Sequence, residues 1–168
     1  MYIKKIKSSE FFFLSLIILI VFFIRFISIS SMNFYYDESI YAVIAKDFVY
    51  NNISPWVTAA WQPPLFTWIN SVPVRLFGLN EFSMRISSVI FGTFSVLLVY
   101  YFAKLLFDKK TGFLAAILLA VLPLHVIYSR TAFNDIIQAF LILASVFLME
   151  YSINKKCKKE KEYVFIIS

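Results

Sequence analysis

The sequence predicts an all-α fold, a polytopic transmembrane helix bundle of about four spans with short amphipathic helices in its first external loop. Three observations carry that prediction. Hydrophobic residues make up 61% of the 168-residue chain and charged residues 15%, against roughly half and a quarter in a soluble domain. Four apolar runs approach the ~20 residues that a helix needs to cross the hydrocarbon. The lysines gather just beyond the ends of those runs, which is how membrane topology distributes them.

The runs cover residues 11–29, 84–107, 112–128 and 136–153. The third is short, and Pro123 predicts a kink in it. The first is too long for the apolar core of a signal peptide, and no small-residue cleavage site follows it. Lys4, Lys5 and Lys7 precede the first run. Lys104, Lys109 and Lys110 separate the second from the third, and Lys155, Lys156, Lys158, Lys159 and Lys161 follow the fourth. Alternating spans place all these lysines on one side, which the positive-inside rule makes the cytoplasm. The chain is therefore expected to be a multi-pass plasma-membrane protein with a cytoplasmic amino terminus. Segment 32–82 and the turn 129–135 then lie outside. Topology accounts for the net charge of +6, which removes the case for nucleic-acid binding. The single cysteine, Cys157, sits among lysines, so no disulfide framework or cysteine metal site is expected.

The external segment carries the chemistry. Asp37-Glu38 follows the first span closely, and carboxylates at a membrane boundary are costly enough to read as functional. Asp37 is expected to cap a helix that starts at Glu38. Ile40, Val43, Ile44 and Phe48 then share one side of a helix lying along the membrane, ended by Asn51 and Asn52. Trp56, Trp61 and Trp68 suit the interface. Gln62-Pro63-Pro64-Leu65 is a stiff turn, and a second short helix is expected over 65–77. Gly78-Leu79-Asn80 ends that helix, and Asn80-Glu81 leads into the second span.

The order of features then resembles a known family. A lysine-flanked span precedes Asp37-Glu38 with Tyr41 just behind, followed by Gln62-Pro63-Pro64-Leu65 and by Phe77-Gly78-Leu79-Asn80-Glu81-Phe82 with Arg85. The second span ends in Leu105-Leu106-Phe107, and Ser129-Arg130-Thr131 with Asn134-Asp135 follows the third. Over about 11–148 this resembles the amino-terminal part of the GT-C membrane glycosyltransferases, nearest the protein O-mannosyltransferase and lipid A aminoarabinose transferase group. Many relatives have lysine or histidine where this chain has Gln62, and an arginine where it has Ser39-Ile40. Family members usually have eleven or more spans, so residues 1–168 are expected to be the amino-terminal part of a longer transferase domain.

The resemblance implies a sugar donor linked through phosphate to a polyprenyl lipid, and a protein, lipid or glycan acceptor. A carboxylate would take the acceptor's proton, and the anomeric centre would invert in one displacement. Asp37 is the candidate base, Glu38 an orienting carboxylate, and Asp135 a second acid facing Asp37 or capping the fourth span. Arg130 would hold the lipid phosphate or anchor the interface, and Tyr41 and Gln62 would contact substrate. Asp37 with Asp135 would offer oxygen ligands to a divalent ion. Some relatives use one and others do not, and no cofactor or metal is assigned. Among the remaining polar residues, Arg25 is expected to snorkel from the first span. Arg85 is expected to pair with Glu81 one helical turn away, and His125 to serve helix packing. Two other classes compete. A truncated, non-catalytic membrane remnant or assembly subunit would keep the spans without the rest of the enzyme. A transporter would place polar groups near the bilayer midplane, whereas here they gather at the outer ends of spans.

Overall fold

A computed structural model describes residues 8–31, 33–58 and 64–167, with side chains described from Glu10 to Lys155. The described elements are all helices: α1 (Ser8–Phe26), α2 (Tyr36–Tyr50), α3 (Pro55–Thr58), α4 (Pro64–Phe77), α5 (Glu81–Leu106), α6 (Lys109–Val121), α7 (Pro123–Tyr128) and α8 (Asp135–Ile167). The all-α expectation holds. Trp61 and Gln62 lie outside the described residues.

α5 is the central helix and packs against α1, α4, α6 and α8. Asn80 starts it: its side chain accepts from the Ser83 N–H at 2.8 Å, while Ser83 Oγ accepts the Asn80 N–H at 3.1 Å. This reciprocal cap satisfies two donors that a helix start leaves free. The inward face of α5 is small and polar, with Ser83, Ser88, Gly92 and Ser95 buried, while Ile90, Phe94 and Leu106 face outward. α4 shows the same inversion, burying Thr67, Asn70 and Ser71 and exposing Leu65, Trp68, Val72 and Leu76. Small residues inside and large apolar ones outside suit helices packed in lipid, where no hydrophobic drive holds them together.

α5 and segment Asp135–Lys155 of α8 are each long and apolar enough to cross a membrane. The predicted third span departs from a kinked helix and is broken in two. Pro123 lacks an N–H and disfavours helical geometry in the residue before it. Leu122 accordingly lies extended, at φ −61° and ψ 115°, between α6 and α7. α6 packs on α5 through Gly112, Ala116 and Ala120, which share one face. A Cβ on Gly112 would stand 2.9 Å from the Tyr100 carbonyl oxygen. Gly112→Val should therefore lower stability by about 1–3 kcal/mol through overpacking, measured as a fall in the thermal midpoint of the detergent-solubilised protein.

Ionic groups are buried at both ends of α5. At one end, Glu10 of α1 accepts from the Tyr100 hydroxyl and from Lys104 Nζ, with Lys109 Nζ at 3.4 Å from its second oxygen. At the other, Arg85 meets Glu38. Arg85 and Lys104 are separated by about 28 Å along the helix, close to the ~30 Å of a bilayer's hydrocarbon.

α2 corrects two expectations. The helix starts at Tyr36 with Tyr35 as its cap residue, so Asp37 lies inside the first turn and does not cap it. The packed face is Glu38, Tyr41, Ala42, Ile44 and Ala45, while Val43 is exposed and Ile40 and Phe48 are half-buried. The expected stripe is thus rotated, because the buried carboxylate of Glu38 draws its own face inward. Asn51 does end the helix, with Asn52 in the left-handed region at φ 54°. Gly78, at φ 77°, likewise ends α4.

Candidate active site

The site forms where the ends of α1 and α7 meet the starts of α2, α5 and α8. Its centre is Glu38, which is fully buried. Arg85 grips it with a two-pronged fork, Nε to Oε1 at 2.8 Å and Nη2 to Oε2 at 2.6 Å. The Ala132 N–H donates to Oε1 at 2.6 Å and the Tyr35 N–H to Oε2 at 2.9 Å. A carboxylate offers about four acceptor positions, and the protein occupies all of them. Burial opposes ionisation of Glu38, but the Arg85 guanidinium and the two backbone donors outweigh it. Together they hold the carboxyl below its ordinary 4.5.

Arg85 continues the junction. Its Nη1 donates to the Ile29 carbonyl at 2.8 Å, its Nη2 reaches the Asn33 carbonyl at 3.2 Å, and its guanidinium lies 5.7 Å from the Phe34 ring centre. One side chain of α5 therefore fixes the turn after α1, the linker to α2 and the first turn of α2. The expected local pair with Glu81 gives way to Glu38 as the ion-pair partner, and Glu81 adds a coulombic attraction. The physical reason is desolvation: the buried carboxylate needs a bidentate partner far more than an acid at the helix start does.

The other sequence-predicted residues are placed as follows. Asp37 is exposed beside Glu38. Asp135 is exposed as the first residue of α8, three positions after Ala132. The Ala132–Glu38 bond therefore sets both acids around one junction. Arg130 is half-buried, and its Nη2 donates to the Ile27 carbonyl at 2.8 Å. Tyr41 is buried, with its ring 4.8 Å from that of Phe66, so it packs under α2 and does not face the cleft. The cleft holds about 200 Å³ and is lined by Ser28, Ser31, Tyr35, Arg85, Arg130 and Thr131, among others. Among the described residues, no three His, Cys, Asp or Glu side chains group in a way that would hold a metal ion.

Two groups escaped the sequence reading. Arg25 does not snorkel outward, since its side chain is fully buried. Glu10, which stands just before the first run, is a buried ion-pair partner. A signal for both was available, because an ionisable residue inside or beside a membrane span needs a partner.

A helical protein with membrane-length segments and carboxylates gathered at one end of them is the class that fold and site define. Comparison with known proteins gives the family. Residues 61–167 match the dolichyl-phosphate-mannose-protein mannosyltransferase family, and the chain belongs to it. It is 31% identical over 138 residues to an undecaprenyl phosphate-alpha-4-amino-4-deoxy-L-arabinose arabinosyl transferase of Wigglesworthia glossinidia brevipalpis. That match covers 77% of this chain and 25% of the relative. It is also 31% identical over 117 residues to the protein of the same name in Erwinia tasmaniensis, covering 64% of this chain and 21% of the relative. The chain thus spans about a quarter or less of the length of these curated relatives. No solved structure matches. The family and these relatives carry glycosyltransferase names, and two described helices of this chain are long and apolar enough to cross a membrane.

Proposed function

We propose that this chain acts as the amino-terminal part of a multi-pass enzyme that moves a sugar from a polyprenyl-phosphate-linked donor to a nucleophile on a protein, lipid or glycan. The spans in this reading are α1, α5, the α6–α7 pair and the first part of α8. The lysine distribution puts the Glu38–Arg85 end outside the cell.

The observation that carries the reading is the pairing of Glu38 with Asp37. Glu38 is consumed by four protein donors, whereas Asp37, one residue earlier, is exposed. Two adjacent acids thus have different environments, and the exposed one is left to accept a proton. In the proposed step, Asp37 takes the acceptor's hydroxyl proton as that oxygen bonds the anomeric carbon. The carbon–oxygen bond to phosphate breaks, its electron pair leaves with the polyprenyl phosphate, and the centre inverts. Arg130 stabilises the charge growing on that phosphate. Asp135, three residues after the Ala132 that bonds Glu38, orients the acceptor in this reading. Glu38 and Tyr41 hold α2 in place beneath Asp37. Gln62 keeps the substrate-contact role that the family resemblance gives it.

The test is a transfer assay with full-length protein in lipid nanodiscs and a panel of polyprenyl-phosphate sugars. Release of free polyprenyl phosphate that depends on an acceptor supports the reading, and no release from any donor contradicts it. Arg130→Ala should raise the donor KM about tenfold or more, because a hydrogen bond to a charged group is worth about 1.5–3 kcal/mol. An unchanged donor KM would remove Arg130 from the phosphate.

A further inference from the structure

We propose that Arg25 is a positioning residue that sets one wall of the cleft by clamping the broken third span to α1. The inference rests on the proposed function only for what the cleft binds. The clamp itself stands on geometry.

Arg25 lies in the last turn of α1 and is 0% exposed. Its Nη1 donates to the Val21 carbonyl at 3.2 Å, within its own helix. Its Nη2 reaches across to the Ala120 carbonyl at 3.4 Å and to His125 Nδ1 at 3.0 Å. These two partners lie on opposite sides of the break at Leu122–Pro123. The break interrupts the helical ladder, and the Ala120 carbonyl before it finds a donor in Arg25. Arginine can only donate, so His125 Nδ1 must be the acceptor, and the ring proton of the neutral imidazole sits on Nε2. One guanidinium thus bonds both arms of the broken helix and fixes the angle between them.

That angle matters because of what α7 carries. Val126 and Ile127 follow His125 directly, and with Arg130 and Thr131 they line the cleft. Ser28, Ile29 and Ser31, just after Arg25, line the same cleft from the end of α1. Past α7 the chain is held at Ser129, whose Oγ and Cβ would lie 2.2 and 2.7 Å from a Cβ built on Gly92. It is held again at Ala132, through Glu38. Beyond the break, α7 is therefore tied at its far end by the Gly92 contact and at its near end by Arg25. The second arginine, Arg130, bonds the Ile27 carbonyl, so α1 and α7 are stitched at two levels with the cleft beside them. An arginine buried in a span without a carboxylate among its hydrogen-bond partners is expensive, and control of the helix break explains its place there.

The test uses the full-length protein with Cys157→Ser and spin labels at Ser28→Cys and Ile127→Cys, which line the cleft from the end of α1 and from α7. The distance distribution between them is read by pulsed electron resonance. His125→Leu, which removes the acceptor, should shift or broaden that distribution, and His125→Gln, which restores an acceptor, should return it. Arg25→Leu should act as His125→Leu does. If Arg25→Leu fails to fold, the histidine pair of variants decides alone. In the transfer assay, His125→Leu should raise the donor KM at least about tenfold with kcat within about twofold. A displacement on the order of 1 Å in a site can cost about 100-fold. An unchanged distance in His125→Leu, or one that His125→Gln fails to restore, overturns the inference. So does a fall in kcat at constant KM. Should the wild-type protein transfer no sugar, the proposed function falls, and the distance measurement still decides the clamp.

Discussion

Arg85→Leu will destabilise the full-length protein by about 3–5 kcal/mol, the usual cost of leaving one partner of a buried ion pair alone. The variant strips Glu38 of two charge-assisted bonds while leaving it fully buried. It also leaves the Ile29 and Asn33 carbonyls without the donors that tie α1 and the linker to α5. Replacing both charges, with Arg85→Met and Glu38→Leu together, should cost less than the two single variants added, because the second change no longer breaks the ion pair, although the Tyr35 and Ala132 N–H groups also lose their acceptor. The measurement is thermal unfolding of the purified protein in one detergent for wild type, single and double variants. A pH series adds a second check. The folded-state pKa of Glu38 is depressed below 4.5, so the pair's contribution is fully present above that value. It is lost as pH falls through the lower folded value. Wild type should therefore lose stability in acid over that window, and the double variant should lose less. Losses in the double variant equal to the sum of the two single losses would show that the pair is not a unit.

Asp37→Asn should lower transfer by about 10²–10⁴-fold, the usual contribution of a general base, while changing stability by no more than about 0.5 kcal/mol. The contrast with Glu38→Gln carries the meaning. Asp37 is exposed, so its amide fits where its carboxylate stood. The amide introduced by Glu38→Gln would instead turn an N–H group towards Arg85 or a backbone donor, and that variant would lose fold and activity together. Turnover within about tenfold of wild type for Asp37→Asn would remove it from the base role. The comparison is of initial transfer rates at saturating donor, with protein content normalised by the folded peak on size exclusion.

The parts of the fold that the sequence made legible are those governed by local rules. Proline, glycine and asparagine marked the ends of α4 and the start of α5 to within a residue or so, since backbone geometry at such residues depends on few neighbours. The expectation of a helix fault at Pro123 was correct in place and too mild in degree, because Leu122 leaves the helix altogether. Errors came where a distant partner decided the outcome. Glu81 is the arithmetic neighbour of Arg85 on the helix, but Glu38, 47 positions away in sequence, is buried and takes the fork. Asp37 looked like a cap, yet the cap bond is made by Glu38, reaching back to the Tyr35 N–H. Arg25 was expected to reach for water, and a helix break instead offers it acceptors inside the protein. In each case the burial of a polar group outweighed a local preference worth less than about 1 kcal/mol. Periodicity along one helix carries no information about such burial.

The anomeric configuration of the product decides whether transfer is a single displacement with Asp37 as base. Full-length protein would be given a polyprenyl-phosphate sugar of known configuration, and the product's anomeric proton coupling read by nuclear magnetic resonance. A single displacement driven by Asp37 predicts a product of opposite configuration, formed by wild type and nearly absent with Asp37→Asn. A product of retained configuration, or inverted product formed equally well by Asp37→Asn, would contradict it.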